Sequence, residues 1–423
     1  MTEENNHHLK RNFDNTSSDI LITNNWEMKQ LKYVTRLAYG SSLAESARVD
    51  GNYRVFGSNG EVGKHESANT KAPVIIVGRK GSFGKVNFSS EPVFAIDTTY
   101  FIDATQTHHD LRWLFYLLIS IELDAISKDT GVPGLSREDA YSKIVPVPPF
   151  SVQKKISSFL DQKILSIDFL MAKKERQIEL LNEKRQALIS HAITKGLNPN
   201  VTNRNSGINR PDVIPSHWQV RKISRSFMLI GSGTTPDSNN TSFYENGSIP
   251  WLNTGDLNDD YISDIPKKIT VQAFKHFSAL KIYPSDTVIV ALYGATIGKV
   301  GILTSEACTN QACCALSKSP FFIPKFVYYW FLSNKKDIIR QSYGGGQPNI
   351  SQELLKNQMM VSPPLEEQQQ IVNFLDFNIQ NIDNIIQKIR LQVERLEEFR
   401  KSLIKEAITG NFKIGKQEFL NAI

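Results

Sequence analysis

The sequence predicts a mixed α+β protein in which two similar globular α/β domains alternate with two long helices that pair as a coiled coil. Three observations support this fold class. A segment that starts at Pro148-Pro149 recurs 215 positions later, at Pro363-Pro364. Both copies carry apolar residues at a spacing of three and four, as in a coiled coil. Before each copy, short runs of β-branched residues alternate with Gly, Ser and Asn turns.

The two copies divide the chain into seven segments. Each Pro-Pro step disfavours helix before it and suits a helix entry after it, while Gly196 and Gly410 are helix stop signals. The segments are a polar N-terminal tail (1–20), a first globular domain (21–147), a first helical region (148–196), a polar linker (197–217), a second globular domain (218–362), a second helical region (363–410) and a C-terminal tail (411–423).

Inside the globular domains, the pattern predicts strands at 73–77, 93–96 and 287–292 and helical pieces at 111–121 and 326–332. The stretch from Trp218 to Val288 is 22 positions longer than that from Trp26 to Val74. We therefore expect an insertion in the second domain around residues 234–261.

The long helices need a partner for their apolar stripes, and pairing between the two is the simplest solution. Arg185 and Arg400 interrupt the stripes at equivalent positions. They either fix the helix register or contact a partner protein, or their stems simply extend to the surface. The predicted apolar seam comprises Leu160, Ile164, Ile167, Met171, Ile178, Leu181 and Leu188 in the first copy and Leu375, Ile379, Ile382, Ile386, Ile389, Val393, Leu396 and Leu403 in the second.

Composition places few limits on function. With 423 residues and 40% hydrophobic content, the chain can form two to four domains, and a formal charge of +6 permits nucleic-acid binding without requiring it. The N-terminal stretch lacks the apolar core of a signal peptide, and no apolar run approaches the length of a membrane span. We expect a cytoplasmic protein with no membrane association.

No metal site is predicted. Cys308, Cys313 and Cys314 lie in one strand-like stretch without partners at metal-binding spacing, which indicates buried thiols. The pairs His7-His8 and His108-His109 lack acidic or cysteine companions and are interpreted as surface histidines.

Catalysis in this chain is not expected. The loop from Gly81 to Val86 has Arg79 where a kinase-type loop begins with glycine, and Val86 where a P-loop needs Ser or Thr. No Ser-His-Asp triad, HExxH motif or paired-carboxylate arrangement is convincing.

Polar and cationic loops in both globular domains suit nucleic acid, although solvated turns without a function are the simpler alternative. Lys and Arg contact phosphates, and amide and hydroxyl groups contact base edges. The candidate DNA-binding residues are Ser58, Asn59, Lys64, Arg79, Lys80, Ser82 and Lys85 in the first domain and Thr234, Thr235, Asn253, Thr254, Tyr293, Thr296, Lys299, Tyr343, Gln347 and Asn349 in the second.

The layout resembles the DNA-specificity subunit of type I restriction-modification systems. The resemblance covers nearly the whole chain. Its strongest marks are the repeated helices with Phe159-Leu160-Asp161 and Phe374-Leu375-Asp376, and the loops 131–136 and 346–351.

This resemblance implies two target recognition domains, each reading half of a bipartite, asymmetric target in double-stranded DNA. It implies antiparallel helices, related by a pseudo-two-fold axis, that set the spacing and dock two methyltransferase subunits. S-adenosylmethionine, ATP and Mg²⁺ would be bound by the methyltransferase and restriction/translocase subunits, so this chain would carry no cofactor and no catalytic activity. The alternatives are a non-catalytic coiled-coil scaffold whose globular domains bind protein or glycan ligands and, with less support, an enzyme acting on DNA itself.

Overall fold

The structure, a computed structural model, describes residues 26–125, 134–342 and 349–411. They fall into two compact units, one comprising the chain up to Glu175 and from Ile389 onward, the other Arg176–Lys388. Each unit therefore contains one globular domain together with part of each long helix.

In the described part of the first unit, the globular domain contains nine strands and two short helices, and the first long helix follows it. Single 3-10 turns lie at Leu31–Tyr33, Glu45–Ala47 and Leu123–Ala125. The elements are β1 (Glu27–Gln30), β2 (Ala38–Tyr39), β3 (Tyr53–Gly57), β4 (Gly60–His65), β5 (Val74–Gly78), β6 (Val86–Ser89), β7 (Phe94–Ala95), β8 (Thr99–Ile102), α1 (Leu111–Ser120), α2 (Arg137–Tyr141), β9 (Ile144–Val147) and α3 (Phe150–Lys195).

The second unit repeats this order with additions. Its 3-10 turns lie at Ile223–Arg225, Thr241–Phe243 and Thr254–Asp256. The elements are β10 (Asn203–Asn205), β11 (Val213–Pro215), β12 (Gln219–Lys222), β13 (Leu229–Gly231), β14 (Ile249–Leu252), β15 (Asp260–Ile262), β16 (Lys268–Ile269), α4 (Val271–His276), β17 (Val288–Ala291), β18 (Val300–Leu303), β19 (Cys308–Thr309), β20 (Cys313–Ser317), α5 (Pro324–Arg340), α6 (Gln352–Asn357), β21 (Met359–Ser362) and α7 (Leu365–Thr409).

The sheets of the two units correspond strand by strand. The first unit has an antiparallel sheet in the order β2-β8-β5-β6 and a second in the order β4-β3-β7, with β3 parallel to β7. The second unit has β13-β20-β17-β18 extended by β15, and β16-β14-β19 with β14 parallel to β19. A strand pair closes each domain, β1 with β9 and β12 with β21. The predicted mixed α+β class and the similarity of the two domains are confirmed.

The second domain's extra residues lie further along the chain than predicted. Residues 253–267, which include β15, connect β14 to β16, whereas only Ser58 and Asn59 connect β3 to β4. Residues 270–287, which include α4, form the second longer connection. The expectation of an insertion around 234–261 is therefore only partly right, because aligning the ends of a segment does not show which turn was lengthened.

Each core is shared between a domain and one end of both long helices. In the first unit, Ile75 on β5 and Trp113 on α1 pack in one cluster with Leu160 of α3 and Leu403 of α7. In the second, Val288, Phe326 and Leu375 occupy equivalent places with Ile193 near the end of α3. Burial of these apolar surfaces is the main stabilising contribution, so the helices are structural parts of both domains.

The long helices run antiparallel. In the first unit, Asp168 of α3 lies beside Arg400 of α7, 3.5 Å from carboxylate oxygen to Nε. Further along α3, Lys174 donates to Gln392, which lies nearer the start of α7. In the second unit, Arg185 forms an ion pair with Asp383. The predicted contact between the helices is confirmed, and both arginines pair with the opposite helix.

Most of the predicted seam positions are buried, but those in the middle of α3 are not. The buried positions are Leu160, Ile164, Ile167, Leu375, Ile382, Ile386, Ile389, Leu396 and Leu403, and the half-buried ones are Met171, Ile178, Leu181, Leu188, Ile379 and Val393.

The helices end at the two predicted glycines. Gly196 and Gly410 have φ of +73° and +74°, the left-handed conformation that glycine adopts without strain. Cβ atoms there would lie 3.1 Å from the rings of Trp218 and Trp26, respectively. Each stop signal is therefore also a packing contact with the first strand region of a globular domain.

The segment predicted as a linker is folded in part. β10 and β11 form a hairpin, Ile214 is buried, and Arg210 forms an ion pair with Asp337 of α5 at 3.0 Å. The polar sequence does not show this hairpin, because its stability comes from packing against the second domain.

The prediction of buried thiols is confirmed. Cys308, Cys313 and Cys314 are free and fully buried, and burial raises the pKa of Cys308 and of Cys314 to about 12. The thiols are therefore protonated at neutral pH.

The prediction of surface histidines holds for His108 and is wrong for His109. His109 is half-buried, with Nδ1 2.9 Å from Gln153 and its ring against Trp113. Burial lowers its pKa, so the neutral ring accepts this hydrogen bond. His7 and His8 lie outside the described residues.

Candidate nucleic-acid interface

A glycine-containing loop follows the buried central strand of the first domain. Gly84 donates to the Gly78 carbonyl at 2.8 Å, and Gly78 donates to the Lys85 carbonyl at the same distance. Gly84 has φ of +74°, and a Cβ atom there would lie 2.2 Å from the backbone nitrogen of Asp124. Only glycine fits at position 84. The residues between Gly78 and Gly84 form the loop of this turn.

The second domain has the same loop, one residue longer. Gly298 donates to the Ala291 carbonyl at 2.9 Å, and the Ala291 backbone N–H donates to the Lys299 carbonyl at 2.8 Å. Gly298 repeats the positive φ, at +71°. The similarity between Gly84-Lys85-Val86 and Gly298-Lys299-Val300 therefore preserves a turn, and a nucleotide-binding loop is not needed to explain it.

Both loops are fixed by the segment that precedes the next short helix. Leu135 donates to the Arg79 carbonyl at 2.8 Å, and Ile350 donates to Leu292 at 2.8 Å. Ser136 and Ser351 then cap α2 and α6 through their hydroxyl groups. Arg79 and Leu292 thus occupy equivalent places in the two domains.

The structure brings most first-domain candidates together. The turn of Ser58 and Asn59 lies beside the glycine loop, and Lys85 donates through Nζ to the backbone and side-chain oxygens of Asn59, both at 3.0 Å. Lys80 forms an isolated antiparallel β-bridge with Gly134. Ser82 lies in the same loop and is exposed. Lys64 is separate, in the opposite half of β4, where it pairs with Arg54.

Two residues that sequence reasoning missed join Arg79. Its guanidinium lies 4.8 Å from the ring centroid of Tyr39 and 5.9 Å from that of Tyr100. Arg137, the first residue of α2, lies 4.2 Å from the Tyr39 ring. No pattern along the chain links Tyr39, Arg79 and Arg137, which only the sheet brings together.

Tyr100 packs against this group and connects it to the loop segment around Leu135. Burial, with a contribution from Tyr39, raises its pKa to about 12, so the phenol remains protonated. Its hydroxyl group donates to the Leu135 carbonyl at 3.0 Å. The stacked residues are thereby tied to the loop segment that fixes Arg79.

In the second domain, hydroxyl and amide groups gather around residues 310–312. Thr235 donates to the Gln311 side chain at 2.5 Å, and Asn310 donates to Asn253 at 3.2 Å. Thr234 accepts a hydrogen bond from Trp251 through its carbonyl, and Thr254 follows Asn253 in a 3-10 turn. Asn310 and Gln311 were not among the candidates.

The glycine loop of the second domain lies next to this group, because Leu292 donates to the Ala312 carbonyl at 2.8 Å. Tyr293 forms an isolated antiparallel β-bridge with Asn349, which is exposed. Thr296 has a buried hydroxyl without a hydrogen-bond partner among the described residues, and Lys299 is half-buried. Tyr343 and Gln347 lie outside the described residues.

The two loop surfaces differ in charge although their frames match. Arg79, Lys80 and Arg137 in the first domain correspond to Leu292, Tyr293 and Gln352 in the second. Only Lys85 has a basic counterpart, Lys299. Within the described ranges, no group of three or more His, Cys, Asp or Glu residues is placed to hold a metal ion. Nor does any helix in those ranges have the length and apolarity to cross a bilayer.

Comparison with protein families gives one description. The family model for the type I restriction modification DNA specificity domain matches residues 23–180 and 215–395. The chain is 24% identical over 352 residues to the type I restriction enzyme EcoBI specificity subunit of Escherichia coli, covering 79% of this chain and 73% of that protein. It is 26% identical over 333 residues to the MjaVIII specificity subunit of Methanocaldococcus jannaschii, covering 73% and 72%.

Two solved structures share the fold. A chain from a study of complex assembly and conformational transition of the type I restriction-modification system superposes with a TM-score of 0.69 at 15% identity, over 92% of this chain and 98% of that chain. The HsdS subunit from Thermoanaerobacter tengcongensis superposes with a TM-score of 0.53 at 14% identity, with the same coverage. At these identities the structures establish the arrangement of elements, and the roles of single residues have to be argued from this chain.

Proposed function

Because the chain belongs to the type I restriction-modification DNA specificity family, we propose that its two recognition domains each read one half of a bipartite, asymmetric DNA target. The protein is the DNA specificity subunit of a restriction-modification complex and is itself non-catalytic. This membership favours DNA recognition over a scaffold that binds protein or glycan ligands, and over an enzyme acting on DNA.

The observation that carries the proposal is the repeated loop frame with different side chains. Both domains hold a glycine loop against the segment before a short helix with the same hydrogen bonds, from Leu135 to Arg79 and from Ile350 to Leu292. Base readout depends on the donors and acceptors that such a frame presents. Different side chains on equal frames give unequal half-sites.

The long helices serve assembly in this proposal. α3 and α7 are in contact in each unit, and the helices expose large apolar side chains, among them Leu165, Phe169 and Phe377 at 72%, 61% and 69%. Such residues are usual at protein interfaces. We assign these surfaces to two methyltransferase subunits, which bind S-adenosylmethionine, with ATP and Mg²⁺ bound by restriction/translocase subunits in the full complex.

Base-resolved mapping of adenine methylation tests the proposal directly. With its methyltransferase partner, the chain should direct methylation to one bipartite sequence whose two halves differ. Removing the chain should abolish methylation at that sequence. Methylation without sequence preference would contradict the proposal.

The equivalent lysines allow a matched measurement on the assembled complex. Each of Lys85→Gln and Lys299→Gln should weaken binding and make the log-log salt slope less steep by about 0.9, the contribution of one phosphate contact. If neither substitution changes the salt slope, the two glycine loops do not lie against the DNA backbone.

A further inference from the structure

The first recognition domain carries two guanidinium groups on one exposed aromatic ring. Tyr39, on β2, is 46% exposed, and its ring centroid lies 4.8 Å from the guanidinium of Arg79 in the glycine loop and 4.2 Å from that of Arg137 in α2. Cation–π contact with one ring accounts for the position of both arginines. We call Tyr39, Arg79 and Arg137 the arginine–tyrosine cluster.

Among the described residues, neither guanidinium group of this cluster forms an ion pair with a carboxylate. Arg79 donates to the neutral backbone carbonyl of Asp97, at 3.2 Å, and also interacts with Tyr100. Glu138 and Asp139 follow Arg137 in the first turn of α2, and the Asp139 carboxylate accepts from the Ser136 hydroxyl group. The remaining N–H donors of Arg79 and Arg137 are available to an acceptor-rich ligand.

The arginines are also held ready for such a ligand. A guanidinium stacked on a ring keeps its in-plane N–H donors at the edge, where they match paired acceptors. In duplex DNA the acceptors of suitable geometry are phosphate oxygens and the O6 and N7 atoms of guanine. Stacking lowers the entropy lost when these contacts form.

Among the described residues, this cluster has no counterpart in the second domain. The places of Arg79 and Arg137 are taken by Leu292 and Gln352 in the second domain, although the surrounding backbone hydrogen bonds are the same. The shared frame therefore does not require the arginines. A residue group confined to one domain is what a difference between half-sites needs.

From these observations we infer that Arg79 and Arg137, positioned by Tyr39, bind the acceptor-rich edge of the DNA, a guanine or a phosphate, in the first half-site. This inference rests on the proposed function and assigns part of its specificity to three residues. Arg79 and Arg137 contact the DNA directly, and Tyr39 acts through them.

The test uses the complex with methyltransferase subunits and measures its affinity for the mapped target and for targets altered in either half. Arg79→Gln and Arg137→Gln should each weaken binding to the intact target by about tenfold or more. The control Lys71→Gln removes an exposed charge at the opposite end of β5 and should leave affinity for the target unchanged.

Conservative variants separate the two sources of the acceptor. If the acceptor is a phosphate, Arg→Lys should keep the affinity. Arg→Gln should then lower the affinity by the same factor for every DNA sequence and make the salt slope less steep by about 0.9. If the acceptor is a guanine, Arg→Lys should also lower the affinity, because lysine does not form the planar paired contact of a guanidinium. The difference in affinity between variant and parent should then vanish on DNA in which that guanine is replaced. Either pattern supports the inference.

Tyr39 supplies a test of positioning. Tyr39→Leu should weaken binding although no charge is removed, and Tyr39→Phe should restore it because the ring is retained. The inference is overturned if both Arg→Gln variants assemble, melt and bind the target as the parent complex does. If the parent complex itself binds without sequence preference, the proposed function fails first, so the two failures are distinguishable.

Discussion

At the scale of single residues, equivalent positions in the two domains have different tolerances. Gly84 and Gly298 share a turn and a positive φ, but their surroundings differ. A Cβ at Gly84 would meet the backbone of Leu123 and Asp124 within 2.5 Å, whereas one at Gly298 would first meet the flexible end of Ile339 at 3.0 Å. A side chain can rotate away, and a backbone cannot.

We therefore predict that Gly84→Ala destabilises its unit more than Gly298→Ala destabilises the other. The positive φ alone costs about 1–2 kcal/mol in both variants. The backbone clash should add to this only at Gly84, so the expected loss there is about 3 kcal/mol or more. Urea unfolding followed by hydrogen exchange of each unit measures the two values separately, and equal losses would contradict the explanation.

Residue identity was predictable only where the chain itself carries the signal. The glycine loops, Ser58, Asn59, Lys85 and the buried cysteines stand out in the sequence. Tyr39 and Arg137 do not, because they meet Arg79 through strand pairing and the bridge from Lys80 to Gly134. Asn310 and Gln311 were missed for the same reason.

At the scale of elements, two buried glutamines fasten the domains to the long helices. Gln153 donates to the Pro148 carbonyl at 2.8 Å and accepts from the backbone of Asp110, which caps α1. Gln368 repeats these bonds with Pro363 and Ile323, which precedes α5. Each Pro-Pro step thus precedes a long helix, and the carbonyl of its first proline accepts a hydrogen bond from the glutamine that connects this helix to the domain.

A second connection of the same kind uses the aspartates of the Phe-Leu-Asp motifs. Asp161 accepts from Tyr116 and Arg112 of α1, both at 2.6 Å. Asp376 accepts from Tyr329 of α5 and lies 3.8 Å from Lys325. Burial, and then the hydrogen bond to the aspartate, raise the pKa of Tyr116 and Tyr329, so both phenols remain donors. The repeated motif marks where a domain is attached to its helix.

The reciprocal ion pairs between the helices should specify register more than stability. Arg185 and Asp383 are 32% and 48% exposed, and exposed pairs contribute about 0–1 kcal/mol. Asp383→Arg should lower the melting temperature by a few degrees, because it places two cations together. The double variant Arg185→Asp with Asp383→Arg should restore most of the loss.

The equivalent pair Asp168–Arg400 provides the control, since exchanging its charges should give the same pattern in the other unit. If the double variant is as unstable as the single one, the two side chains do not interact in solution, and the register is set by the apolar seam alone.

At the scale of the whole molecule, the helices can be shortened without disturbing either ion pair. Residues 171–177 lie between Asp168 and Arg185 on α3, and residues 386–392 lie between Asp383 and Arg400 on α7. Deleting both heptads together keeps the phase of each apolar seam nearly unchanged. It removes about 10 Å of helix at about 1.5 Å per residue.

We predict that the double deletion shortens the DNA spacer by about three base pairs, at about 3.4 Å per base pair, without changing the bases of either half-site. Methylation mapping reads both quantities at once. Deleting only one heptad serves as the control, because it displaces the partners of the ion pairs and should reduce assembly. An unchanged spacer in the double deletion would show that the helices do not set it.

The sequence alone determined the repeated architecture, because a helix repeats its apolar positions at a fixed period and a duplicated segment preserves that period. It also determined the helix ends and the burial of the three thiols, which depend on residues close together in the chain. Tertiary structure decided the folding of residues 203–215 into a hairpin and the placing of the second domain's additions at 253–267 and 270–287. It also decided the arginine–tyrosine cluster. These features arise from contacts between residues far apart in the chain, which are set by strand pairing and packing.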